Sequence, residues 1–219
     1  MVLEVTESWI KEYLEPRYPE LVAPYREAER IREAALKSGH LSESSLSLLL
    51  ESARSARTPL GENVSGMLGS LADRFPLVRD AVRMMARDKK AHVRINALVA
   101  LDSQQKSPLN DEILSGALRD RSARIRALAA DKIMTFGLRY LLSELEEAIA
   151  REAKPELRAT LAWERDLLRD GFRIVDTGDG RVNVTCRTGG GVTSTSFSKN
   201  EMKTKGRQWI KENAVPGSD

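Results

Sequence analysis

Three arginines, Arg94, Arg126 and Arg158, recur at intervals of 32 residues, each inside the same short pattern. An acid comes first, an aliphatic residue follows five places later, and the arginine stands next to it. The sets are Asp88, Val93, Arg94; Asp120, Ile125, Arg126; and Glu152, Leu157, Arg158. Upstream apolar positions keep the same interval, as Leu77, Leu109, Leu141 and as Ala81, Ile113, Leu145. Stacked helical hairpins write such a period into a chain, because every unit repeats the same contacts with its neighbours. Arrays of this kind present an extended binding surface more often than a catalytic cleft. The period therefore constrains architecture strongly and the identity of a partner weakly.

Helical spacing of apolar residues fills in the pairs. Leu77, Val78, Ala81, Val82, Met84 and Met85 predict a helix over 77–87, followed by a polar turn at Asp88–His92. A second helix is expected over 93–101, with Val93, Ala97, Leu98 and Leu101 on one side. Gln104–Pro108 interrupts the chain, and Asn110 or Asp111 is positioned to cap the next helix. Further pairs are expected at 109–119 with 123–136, ending at Gly137, and at 139–150 with 155–169. Pro155 suits the first turn of its helix and Gly171 its end. Upstream, 46–56 and 61–75 form a degenerate pair in which Glu62 replaces the repeat arginine, and helices over 6–15 and 20–38 precede it. The last fifty residues differ. Phe172–Val175, Arg181–Arg187 and Val192–Phe197 are β-branched runs, with turn signals at Asp179-Gly180 and Gly189–Gly191. Val182, Val184 and Cys186 alternate with Asn183, Thr185 and Arg187, which gives one apolar and one polar face. Ser198 and Glu201 form a capping box for a final helix to Asn213, with Met202, Trp209 and Ile210 on one side and Gly206 allowing close approach to the sheet.

The acid, aliphatic and arginine pattern carried by Asp88/Val93/Arg94, Asp120/Ile125/Arg126 and Glu152/Leu157/Arg158 resembles the HEAT-like (armadillo-type) repeat family. The resemblance covers about residues 77–170 and extends more weakly back to about 43. It implies a mainly α fold: an α-solenoid of helix pairs over 1–170 with a concave surface used for macromolecular binding. Residues 171–219 form a small βββα appendage, expected to cap the solenoid's end. The resemblance also implies a structural role for the repeat residues, in which Arg94, Arg126 and Arg158 bond the turn acids Asp88, Asp120 and Glu152 of their own or adjacent repeats.

Charge is distributed unevenly. Residues 1–76 carry nine basic against twelve acidic residues, net −3, whereas 77–139 carry thirteen against seven, net +6. Residues 140–170 return to −3 and 171–219 to +3. A basic middle points mildly to an anionic partner. The irregular bases Arg83, Arg87, Lys89 and Lys90, then Arg119, Arg121 and Arg124, cluster at inter-helix turns. If stacked, they could follow a phosphate backbone, aided by Lys199, Lys203, Lys205 and Arg207. No apolar run approaches the roughly 20 residues of a membrane span, and the N-terminus lacks a secretory pattern. A single cysteine, Cys186, is expected on the apolar strand face, and its solitude suits a reducing cytoplasm.

Other chemistry finds little support. His40 and His92 are the only histidines and have no ligand spacing, so neither a metal nor another cofactor is expected. No serine sits in a nucleophile elbow, and Gly189–Gly191 lacks the context of a phosphate cradle. Certain alkylpurine DNA glycosylases share the HEAT-like fold and use aromatics with an acid. Trp163, Glu164 and Asp166 resemble that combination only distantly, and core packing is the simpler role for Trp9, Trp163 and Trp209. The expected function is a non-enzymatic adaptor or inhibitor that binds a protein partner. DNA or RNA binding through the basic turns is the alternative.

Overall fold

The computed structural model describes residues 7–101, 107–189 and 191–215. The chain is mainly helical, with one three-stranded antiparallel sheet near its C-terminus, and divides into two compact units, Met1–Asp102 and Ser103–Asp219. The division falls within the helical region, and the sheet belongs to the second unit.

In the first unit a π-helical turn at Ile10–Leu14 is continued by Glu15–Arg17 and a tight turn at Pro19–Leu21. Tyr18 precedes a proline and leaves the helical region of backbone space, which separates this segment from the next helix. There follow α1 (Val22–Ser38), α2 (Glu43–Ala53), α3 (Thr58–Ala72), α4 (Pro76–Ala86) and α5 (Ala91–Val99). Gly39 ends α1 in the left-handed conformation, and Ser42 caps α2 by accepting the Ser45 amide. Helix α3 is central, touching α1, α2, α4 and α5, and its Val64, Leu68 and Leu71 are fully buried. Val78, Ala81, Val82 and Met85 turn the inner face of α4 into this core. Leu77 and Met84 do not: they are 55% and 65% exposed. Their seven-residue separation places both on the outer face of the same helix.

The second unit contains α6 (Pro108–Ala117), α7 (Ala123–Phe136), α8 (Leu142–Arg151) and α9 (Pro155–Asp170). The cap of α6 is Ser107, not Asn110 or Asp111. Its hydroxyl accepts the Asn110 amide at 3.2 Å, Pro108 opens the helix, and Asn110 is buried. A proline that looked like an interruption is instead a first-turn residue, where its missing N–H costs nothing. The rest of the expected break, Gln104–Lys106, lies outside the described residues. Gly137 and Gly171 close α7 and α9 with positive φ, as their positions suggested.

Three strands follow, β1 (Phe172–Asp176), β2 (Arg181–Thr188) and β3 (Gly191–Ser198), in the order β1-β2-β3. Gly178 and Gly180 supply positive φ in the β1–β2 turn. Thr188 pairs with Gly191 at the next hairpin, whose Gly190 lies outside the described residues. Ser198 and Glu201 form the expected capping box. The helical segment behind it contains a π turn at Met202–Gly206 before α10 (Arg207–Asn213). A Cβ on Gly206 would collide with the Met202 sulfur and sit 3.4 Å from the Phe197 ring, so glycine permits this approach.

Register and alternation place Phe172, Val184, Cys186 and Phe197 on one sheet face, and Phe197 meets Trp209 edge-on with centroids 6.1 Å apart. The opposite face carries Arg173, Thr185 and Arg187. That face is polar, yet Thr185 and Arg187 are each only 5% exposed, because β1 and β2 lie against α9. Arg187 donates to the Met134 and Val215 carbonyls at 2.6 and 2.8 Å and lies against Gly137. A cation at the C-terminus of α7 also complements that helix's dipole.

Candidate binding surfaces

The repeat residues explain the shape of the inter-helix turns. Arg94 donates to the Asp88 carbonyl at 2.8 Å, Arg126 to the Asp120 carbonyl at 2.7 Å, and Arg158 to the Glu152 carbonyl at 2.9 Å. Each arginine thus reaches six residues back to the backbone carbonyl of its own turn acid. The carboxylates have a different task. Asp88, Asp120 and Glu152 accept the amides of Lys90, Ser122 and Lys154, two residues ahead, at 2.7–3.0 Å. Acid and arginine together satisfy a donor before the second helix and an acceptor after the first.

Arg126 also has a carboxylate bond of the kind expected between repeats. Its Nε lies 2.8 Å and its terminal nitrogen 2.6 Å from Glu152 Oε2, while Oε1 takes the Lys154 amide. The Lys154 amide and the Arg126 guanidinium hold the Glu152 carboxyl below its ordinary range.

The irregular bases are less bare than their count suggests. In the first unit, Arg83 pairs with Asp80 at 2.7 Å, while Arg87, Lys89 and Lys90 are exposed around the α4–α5 turn. In the second unit, Arg121 and Arg124 are exposed at the α6–α7 turn, and Arg119 pairs with Glu147 at 3.4 Å. Of the C-terminal cations, Lys199 pairs with Asp176 at 2.7 Å and Lys205 with Glu201 at 3.2 Å, while Lys203 and Arg207 are exposed. Local acids thus offset part of the positive field that a phosphate backbone would meet.

The Trp163 region folds inward. The Arg173 guanidinium covers the Trp163 ring at 4.6 Å, and Arg165 pairs with Asp166 at 2.6 Å. Glu164 is 9% exposed, and its buried Oε2 has no hydrogen-bond partner. Burial, with the charge of Asp131 on α7 adding to it, pushes this carboxyl up to about 7. An aromatic face already stacked by a cation does not present itself to a nucleobase. His92 contacts the Arg54 carbonyl at 3.2 Å, and Cys186 is fully buried. Among the described residues no helix is long and apolar enough to cross a membrane, and no group of three His, Cys, Asp or Glu could hold a metal ion.

A feature that sequence reasoning missed lies in the first unit. Helices α1 and α2 leave an open groove of about 370 Å³, lined by Pro24, Ala28, Ile31, Leu48 and Leu60, with Glu27 and Glu51 at its sides. Leu48 is 48% exposed. Glu27 pairs with Arg30 at 2.6 Å, and Arg30 does not line the groove. The Leu48-Leu49-Leu50 run signalled a helix but not which leucine points outward. That depends on how far α1 and α2 diverge, which no local pattern encodes.

Comparison with protein-family models, with curated proteins and with solved structures gives no significant match.

Proposed function

We propose that this chain is a non-enzymatic interaction module built of HEAT-like helix pairs, and that it binds a protein partner through the α1–α2 groove. The single observation that carries this reading is the groove itself, an apolar trough with a half-exposed leucine at its edge and carboxylates, but no cation, among its lining side chains. Apolar surface of this kind gains free energy when covered, roughly 25 cal/mol per Å². Its rim selects the occupant by charge. A helical segment with an apolar face flanked by lysine or arginine would seat its aliphatic side chains against Ile31 and Leu48 and set its cations near Glu27 and Glu51. An acidic segment of the same shape would meet like charge.

The test is a titration of isotope-labelled protein with an amphipathic leucine–lysine peptide, followed by amide chemical shifts. The reading expects saturable changes concentrated at Leu48, Glu51 and the adjoining groove residues Ser52 and Ser55, and their loss in Leu48→Glu. Shifts that leave these residues unmoved would refute it.

A further inference from the structure

A second surface, independent of that groove, lies in the second unit. The α6–α7 and α8–α9 turns enclose a cleft of about 370 Å³, lined among others by Arg119, Asp120, Arg126, Ala148, Arg151 and Glu152. Arg126 is already committed there, to Glu152 and to the Asp120 carbonyl. The other two arginines are differently placed. Arg119 comes from the end of one hairpin and Arg151 from the next, and their guanidinium groups lie 3.4 and 3.7 Å from the same atom, Glu147 Oε2. Two cations that line the cleft, one from the α6–α7 turn and one from the end of α8, thus converge on one oxygen.

Glu147 is a weak occupant of that point. Its side chain is 60% exposed and both arginines are 52% exposed, and exposed pairs of this sort contribute little net stability. We propose that Glu147 holds the place of an incoming phosphate monoester, which displaces it and is clamped by Arg119 and Arg151. A dianionic terminal phosphate offers three oxygens to two guanidinium forks, where a carboxylate offers two. The acids of the cleft narrow the ligand further. Glu152 is buried and spends its charge on Arg126, but Glu147 is exposed and Asp120 partly exposed beside the site. A singly presented phosphate can avoid them. A nucleic-acid backbone, with its regular succession of charges, would be carried past Glu147 and Asp120 together.

The probes are phenyl phosphate and a short thymidine oligonucleotide with and without a 5′-phosphate, titrated against the full chain by amide chemical shifts. The proposal expects saturable changes at residues 118–120 and 147–152 that require the terminal phosphate. Arg119→Ala and Arg151→Ala should each weaken binding roughly tenfold. Glu147→Gln, which removes the internal competitor, should tighten it roughly threefold. All three positions are exposed, and matched thermal melts confirm that the variants fold. Absence of phosphate-dependent binding in both the parent chain and Glu147→Gln would overturn the proposal. So would equal binding of the two oligonucleotides, which would assign the cleft to a polyanion instead.

Discussion

Glu164 and Arg187 are buried polar residues of opposite character. Arg187 delivers its protons to carbonyls at the end of α7 and to Val215. Arg187→Met removes those bonds and leaves the acceptors without these donors, so urea unfolding should show a loss of about 2–4 kcal/mol. Glu164 has a buried oxygen with no partner, and its folded-state value of about 7 lies above the ordinary 4.5. A raised carboxyl contributes its full stability below pH 4.5, loses it progressively as pH rises towards 7, and changes little above that. The loss amounts to at most about 3 kcal/mol. In Glu164→Gln the unfolding free energy should fall less steeply than in the parent chain between pH 4.5 and 7. Parallel curves in that window would contradict the assignment. Neither burial was legible beforehand: Arg187 reads as the polar side of a strand, and Glu164 as an acid beside Trp163 whose surroundings the sequence does not give.

The helical elements were largely legible, because a 3.6-residue apolar period and a left-handed glycine are local signals. Gly137, Gly171 and the Ser198–Glu201 box end or begin helices where the sequence placed them. Departures occur where a local signal has two readings. Pro108 is a helix opener because Ser107 stands before it, and α4 carries Leu77 and Met84 outward although both fit an apolar series. The repeat arginines were legible as a ladder but not in their acceptors, since spacing does not distinguish a turn carbonyl from its carboxylate. That difference is measurable. Arg126 bonds both its own turn and Glu152 on the following hairpin, whereas Arg158 donates to the Glu152 carbonyl of its own turn. Arg126→Ala should therefore destabilise the second unit more than Arg158→Ala in urea unfolding, and equal losses would refute a role in joining hairpins.

For the molecule as a whole, the period predicts paired helices without naming a surface. The groove arises from the spacing of α1, α2 and α3, a tertiary quantity, and the charge of the basic turns is partly offset by Asp80 and Glu147. A protein-binding module with partly paired cations should hold duplex or single-stranded DNA and RNA weakly at physiological salt. Tight binding with a steep salt slope, lost on neutralising Lys89, Lys90, Arg121 and Arg124, would instead favour nucleic-acid recognition. Selection of a basic, apolar partner segment by the α1–α2 groove, as proposed, is tested by charge reversal at its rim. Fluorescence anisotropy would compare two amphipathic peptides with identical leucine faces, one flanked by lysine and the other by glutamate, against the parent chain and the double variant Glu27→Lys/Glu51→Lys. The prediction is that the parent prefers the lysine peptide and the double variant the glutamate peptide. An unchanged preference between the two proteins would contradict it.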